Sequence, residues 1–301
     1  MTPDNFHSGI ITLIGRPNVG KSTLLNRLVG EKISIISRRP QTTRHRILGI
    51  KTTDTAQMVY VDTPGVHAPE GRALNRYLSR IASGSIEGVD AVVLVASAEG
   101  WHEQDEPALA LAQRSGVPVV LALNKVDRLK DRRQVLPLIG ACAKRMDFTD
   151  IVPMSAQTGD NVDALEETLL KHLPPQPPIY PPEQHTDKSE RFLASEMVRE
   201  QIFGNYGQEV PYATAVEVTR YQRAKGKLNI EAVIWVEKEG QKAILIGVGG
   251  ERLKRVGIGA RRSLEKRYDM KVDLRLWVRV REDWSDDARA LQRLGYHEDA
   301  S

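Results

Sequence analysis

The 301-residue sequence predicts an α/β fold with a mostly parallel sheet, followed by a smaller α+β module. Three observations predict it. First, an apolar run (Ile10, Ile11, Leu13, Ile14) leads directly into Gly15-Arg16-Pro17-Asn18-Val19-Gly20-Lys21-Ser22, after which Leu24, Leu25 and Leu28 recur at helical spacing. Second, apolar runs at 58–61, 117–123 and 151–154 each end in a short polar turn, as buried strands do. Third, Pro174-Pro175-Gln176-Pro177-Pro178-Ile179-Tyr180-Pro181-Pro182 can neither continue a helix nor pair centrally in a sheet, so it reads as a stiff, extended spacer. The expected division is 1–173, a linker at 174–187, a module at 188–282, and a helix and tail at 283–301.

The stretch 15–22 sits in the strand–loop–helix context of a phosphate-binding loop. Its glycines let backbone N–H groups turn inward around phosphate oxygens, and the following helix adds its positive end; Thr23, next to Ser22, is expected among the nucleotide-binding residues. Lys21 is expected to reach the β- and γ-phosphates, and Ser22 to ligate Mg²⁺. Asn124-Lys125-Val126-Asp127 follows a strand at the end where open α/β sheets bind ligands. An ionised Asp127 accepts from guanine N1–H and its 2-amino group. Adenine offers neither, so such a site rejects it by a factor of about 10⁴. Asn124 and the stem of Lys125 are expected to brace base and ribose, and Ser155-Ala156 to offer backbone N–H groups to guanine O6.

Asp62-Thr63-Pro64-Gly65 ends the strand at 58–61, with Asp62 expected on Mg²⁺ and the Gly65 N–H on the γ-phosphate. The basic loop 38–46 contains Gln41-Thr42-Thr43-Arg44. Thr43, with Thr42 as the alternative, is expected to close onto Mg²⁺ in the triphosphate state. Val66 stands where Ras-like enzymes carry the glutamine that positions the attacking water. An aliphatic side chain cannot do so, and slow intrinsic hydrolysis follows. Two readings stand for Asn18: a loop-shaping polar residue, or a K⁺ ligand, since it resembles the potassium-binding asparagine of some related GTPases.

Composition narrows the class. Hydrophobic residues make up 41% of the chain, enough for two cores. No apolar run approaches the roughly 18–20 residues that cross a membrane, and residues 1–8 lack the pattern of a signal peptide. The single cysteine, Cys142, excludes an internal disulfide and falls on a helix predicted over 131–146. The seven histidines show no metal-ligand spacing. Charge is unevenly spread. Residues 1–187 hold 21 Lys/Arg and 21 Asp/Glu, residues 188–281 hold 20 against 12 (a balance of +8), and the tail is acidic. A basic module calls for a polyanionic partner.

Within that module a helix is predicted over 187–203, with a capping-box-like Asp187…Glu190 start. Strands are predicted over 212–219 and 230–236, with Arg223, Lys225, Gly226 and Lys227 in the turn between them. An apolar helix end then meets Gly247-Val248-Gly249-Gly250. A second helix carries Leu253, Val256, Ala260 and Leu264 on one stripe, with Arg252, Arg255, Arg262 and Lys266 opposite. Period-two alternation over 272–280 predicts the last strand. This α-β-β-α-α-β order around a Gly-x-x-Gly loop resembles a type II KH domain, whose loop clamps the backbone of about four single-stranded nucleotides. Many KH loops carry Lys or Arg between the glycines; here Val248-Gly249 supplies no charge. Gly257 and Gly259 are unexpected inside a helix, each unfavourable by about 1 kcal/mol relative to Ala.

A P-loop GTPase domain (mixed, mostly parallel sheet, helices on both faces) followed by a type II KH domain resembles the bacterial Era GTPases over nearly the whole chain. The likeness extends to Trp284-Ser285-Asp286-Asp287. The motifs call for GTP/GDP and Mg²⁺, the composition and single cysteine fit the cytoplasm, and a mainly monomeric protein is expected. The resemblance implies binding of the 3′ region of 16S ribosomal RNA during 30S subunit assembly, and peripheral contact with the inner membrane. Two other classes fit the sequence less well. A GTP-consuming modifying enzyme lacks a second reactive pocket in the sequence, and a membrane-surface regulator lacks an amphipathic lysine-rich helix.

Overall fold

The computed structural model describes residues 5–37, 39–65, 73–207, 209–224, 226–294 and 296. Val66, Arg38 and Lys225 lie outside the described residues. The chain forms two compact units. The first comprises 1–34, 43–69 and 78–187; the second comprises 35–42, 70–77 and 188–301.

In chain order the first half carries β1 (His7–Ile14), α1 (Lys21–Val29), β2 (Ile47–Thr52), β3 (Ala56–Asp62), α2 (Ala73–Gly84), β4 (Ala91–Ser97), α3 (Glu106–Gln113), β5 (Val119–Asn124), α4 (Val135–Ala143), β6 (Asp150–Pro153) and α5 (Val162–Leu170). The six strands form one sheet in the order β2-β3-β1-β4-β5-β6. Only β2 is antiparallel to its neighbour. The strands β3 and β4 are buried along their whole length, as strands covered on both faces must be. Strand β1 has β3 on one side and β4 on the other, so a crevice opens at its carboxyl end, where 15–20 leaves the sheet. Leu24, Leu25 and Leu28 of α1 are buried, and the helix ends on Gly30 in the left-handed region. Arg132–Gln134 is a 3-10 turn, which trims the helix predicted over 131–146 to α4; Cys142 on it is buried.

Segment 174–187 is extended, yet it is no free spacer. Ser8 N–H donates to Pro174 O, and Gln176 N–H to Phe6 O. The buried Gln57 side chain accepts from the Ile179 and Tyr180 N–H groups, 2.8 Å each, and donates to Tyr180 O at 2.8 Å. Ile50 N–H of β2 donates to His185 O at 2.9 Å, and Leu48 N–H to Asp187 Oδ1 at 3.0 Å. Proline has no N–H to offer but keeps its carbonyl. His185 O and the Asp187 carboxylate, beyond the prolines, thus occupy N–H groups of β2, the outer strand, and close that edge to further pairing.

The second unit carries α6 (Glu190–Asn205), β7 (Ala215–Ala224), β8 (Lys227–Val236), α7 (Glu239–Ile246), α8 (Glu251–Tyr268), β9 (Lys271–Val280) and α9 (Ala288–Arg293). Helix α6 starts on Ser189, whose hydroxyl accepts from Phe192 N–H, and not on the predicted Asp187, which is engaged with β2. Strand β7 runs later than predicted and takes in Arg223. The sheet order is β7-β8-β9, with β8 and β9 parallel. Val256, Ala260 and Leu264 of α8 are buried against α6 and the strands. A Cβ on Gly259 would collide with the Gln201 side chain, which accounts for a glycine where α8 passes α6.

Two stretches from early in the chain complete this unit. In one, Ile36 N–H donates to Glu200 Oε1 at 3.1 Å. In the other, the start of α2 is capped from the far end of the sequence. Ala73 N–H donates to Asp286 Oδ1 at 2.8 Å and Leu74 N–H to Ser285 O at 3.1 Å. Trp284 is fully buried, donates to Ala213 O, and stacks on Tyr296, which meets Tyr77 edge to face.

Candidate nucleotide site and candidate RNA loop

The loop 15–20 is shaped by its glycines. Gly15 has φ +150°, and a Cβ there would strike Val95 O; Gly20 has φ +109°, and a Cβ would strike the Asn124 amide. Lys21 is buried at the first turn of α1, and its Nζ donates to Gly15 O at 2.8 Å and Arg16 O at 3.0 Å. Burial lowers its pKa from 10.5 to about 8, against the opposing pull of Asp62. Arg16 Nε lies 3.0 Å from Asp105 Oδ1, and Asp105 is almost fully buried. Val19 is buried, whereas Asn18 is exposed in the left-handed region at φ +64°. Pro17 packs against Gly65, so closely that a Cβ on Gly65 would lie 2.9 Å from the Pro17 ring. The Thr63 hydroxyl donates to Leu13 O, which ties the end of β3 to β1 ahead of Pro64.

Beside the start of α1 lies a cluster of hydroxyls on one carboxylate. Ser22 Oγ donates to Asp62 Oδ2 at 2.7 Å and lies 2.9 Å from Thr43 Oγ1. Ser34 Oγ donates to the same oxygen at 2.9 Å, and Asn26 holds the Ser34 loop through both its N–H and its carbonyl. Asp62 Oδ1 is buried without a hydrogen-bond partner. Burial raises the Asp62 pKa, with Lys21, Ser22 and Ser34 opposing. A buried carboxylate oxygen left unpaired beside two hydroxyls fits a hard cation held by few protein ligands, the manner in which Mg²⁺ is bound alongside phosphates. Of the two threonines, Thr43 faces this cluster. The Thr42 hydroxyl turns to Arg39 O. Ser34 carried no recognisable signal in the sequence, being one serine between two isoleucines.

At the far end of the crevice, Asn124 ties loops together. Its Nδ2 donates to Val19 O at 2.7 Å, and its Oδ1 accepts from Lys125 N–H and Ala156 N–H. The amide thus bridges the phosphate loop to 155–156. Ser155 N–H is likewise engaged, with Asp160 O, so both amides assigned to guanine O6 have internal partners. Lys125 adopts φ +70° and lies 3.3 Å from Glu99. This turn presents Asp127 exposed, its carboxylate without a partner among the described residues.

In the second unit, Gly247, Gly249 and Gly250 all have φ between +60° and +77°, a run that side chains rarely adopt, and Val248 between them is 95% exposed. Arg252, Arg255, Arg262 and Lys266 are exposed on α8, away from the buried stripe.

Residues 10–125 match the family described as 50S ribosome-binding GTPase, and residues 209–285 match the KH domain. GTPase Era of Stenotrophomonas maltophilia (strain K279a) is 52% identical over 290 residues, covering 96% of this chain and 97% of that protein. GTPase Era of Coxiella burnetii (strain Dugway 5J108-111) is 49% identical over 292 residues, covering 97% and 99%. Among solved structures, Era in complex with MgGDPNP and nucleotides 1506–1542 of 16S ribosomal RNA aligns at TM-score 0.93 with 38% identity, covering 97% of this chain and 100% of that one. A point variant of Aquifex aeolicus Era bound to GDP and aluminium fluoride aligns with the same score, identity and coverage. With a phosphate loop, a hydroxyl–carboxylate cluster and a Gly-x-x-Gly loop in one chain that matches these relatives almost end to end, the protein belongs to the Era GTPase family: a P-loop GTPase domain followed by a KH domain.

Proposed function

We propose that this protein is a GTP-driven switch that grips single-stranded RNA near the 3′ end of 16S ribosomal RNA and acts in the cytoplasm, as a monomer, in assembly of the small ribosomal subunit. The observation that carries the reading is the Ser22–Thr43–Asp62 cluster beneath the phosphate loop, in a chain that also carries an exposed Gly247–Gly250 loop.

In this reading Lys21 leaves the Gly15 and Arg16 carbonyls for the β- and γ-phosphate oxygens, and the N–H groups of 15–22 surround them. Ser22 and Thr43 ligate Mg²⁺ with Asp62 behind, and the Gly65 N–H meets the γ-phosphate. Bound Mg²⁺ supplies charge neutralisation on the phosphate oxygens. Asp127 reads guanine, with Asn124 holding the floor of that pocket together. The backbone of 247–250 takes the RNA phosphates, helped by Arg252, Arg255, Arg262 and Lys266. Because RNA and GTP would favour the same state, each should tighten the other by the same factor.

Filter binding of a 3′-terminal 16S fragment, with a GTP analogue and with GDP, tests this. Binding is expected to be tighter with the analogue. Changing Arg252 and Arg262 to alanine is expected to flatten the plot of log affinity against log salt by about 0.7 per lost phosphate contact. Equal affinity in both nucleotide states, together with an unchanged slope, would refute the clamp.

Asn18 supports K⁺ binding: it is exposed on the phosphate loop, and its amide has no partner among the described residues. We propose that K⁺ there takes the place of an arginine finger. Turnover is then expected to be faster in K⁺ than in Na⁺ at matched ionic strength, and an Asn18→Ala variant to lose the difference; equal wild-type rates would exclude the cation.

A further inference from the structure

Arg199 sits in the middle of α6 and is 2% exposed. Its Nε donates to Glu196 Oε1 at 2.7 Å and its Nη2 to Glu196 Oε2 at 2.6 Å, a two-pronged pair one helical turn apart. Phe203 lies under the guanidinium, 5.3 Å from its carbon. The pair with Glu196 offsets the charge of Arg199, but burying two ions is no efficient route to stability, since apolar side chains of that size fill such space equally well. The guanidinium does one thing an apolar residue cannot. Its Nη2 also donates to the carbonyl oxygen of Thr42, at 2.5 Å.

That carbonyl belongs to the peptide plane that carries the Thr43 N–H, and the plane is rigid. Holding the oxygen fixes the orientation in which Thr43 leaves the plane. The Thr42 hydroxyl is held separately by Arg39 O. The grip therefore acts through the backbone, and the Thr43 hydroxyl lies 2.9 Å from Ser22 Oγ, which donates to Asp62. The bond between Thr42 and Thr43 is also where the chain passes from the second unit to the first.

We propose that Arg199 is a positioning residue for Thr43: from within the KH-containing unit it sets the threonine that senses the triphosphate state, and so biases the protein's preference for GTP over GDP. The proposal rests on the reading of Thr43 given above. It predicts an effect confined to the triphosphate, because Thr43 closes onto the metal only there.

The test is the ratio of affinities for a fluorescent GTP analogue and for GDP, both with Mg²⁺, in the full chain. Four proteins are compared: wild type, Thr43→Ala, Arg199→Met combined with Glu196→Met, and Arg199→Lys. The double variant removes both charges of the Arg199–Glu196 pair together. Its preference for the GTP analogue is expected to fall about fivefold or more, in the direction of Thr43→Ala, with GDP affinity within about twofold of wild type. A purely structural role would lower thermal stability and weaken both nucleotides alike. Should the double variant fail to fold, Arg199→Lys decides. It keeps a charge for Glu196 but lacks the planar fork that reaches two partners at once, and the same loss of preference is expected. A wild-type ratio in the folded Arg199 variant, beside a collapsed ratio in Thr43→Ala, overturns the proposal. A wild-type ratio in Thr43→Ala overturns the reading of Thr43 itself.

Discussion

Asp127→Asn is expected to lower kcat/KM for GTP by about 10³-fold or more and to make xanthosine triphosphate the better substrate. The Asp127 carboxylate projects from the turn after β5 with no internal partner among the described residues, so its acceptor pair is available to a base. Guanine presents two donors along that edge. Xanthine presents one donor and a carbonyl acceptor, a pattern that matches an amide and leaves a carboxylate facing an oxygen. The change should be nearly silent in stability, within about 0.5 kcal/mol, because an exposed side chain without contacts is replaced by one of the same shape. Steady-state kinetics with both nucleotides, with a thermal melt, checks it. A retained preference for GTP would remove Asp127 from the base site.

Lys21→Met should produce opposite effects on function and stability. Two charge-assisted hydrogen bonds to phosphate, each contributing about 1.5–3 kcal/mol, would be lost, so GTP affinity should fall by a factor of about 10² to 10⁴. The nucleotide-free protein should become more stable. The folded-state pKa of Lys21, about 8, lies below its ordinary 10.5, so between those values the unfolded chain holds more protons and wild-type stability rises with pH. Below pH 8 the ammonium is charged in both states and the folded protein bears the whole burden of burying it. Two Lys21 hydrogen bonds to backbone carbonyls and the attraction between Lys21 and Asp62 are also lost in the variant, which reduces that gain at pH 7. Chemical denaturation of both proteins at pH 7 and pH 10 would show the advantage of the variant shrinking at the higher pH. An advantage that does not change with pH would mean that Lys21 is not strained by burial.

Chemistry carried by residue type and order was legible in the sequence. The loop 15–22, Asp62, Asp127 and the α-β-β-α-α-β order each rest on local spacing, and the structure places each of them in the element expected. Several features were not legible, because they depend on which distant residue arrives beside which. Nothing near Ser34 indicates that its hydroxyl will meet Asp62. Nothing around Asn124 indicates that its amide will join three partners within the protein. The prolines at 174–182 mark a segment outside helix and sheet, while the glutamine that captures it, Gln57, lies on β3 with no mark of that role. The odd glycine at 259 makes sense only beside Gln201 of another helix.

The composition of the second unit also bears on how the chain is made. Thr42 precedes its partner Arg199 by 157 residues, and Ala73 precedes Asp286 by 213. Synthesis at about 5–20 residues per second leaves the earlier stretches outside the ribosome without those partners for on the order of ten seconds or longer. These contacts of the KH-containing unit therefore close long after their first partners have been made. The start of α2 gains its cap only once Ser285 and Asp286 have been added.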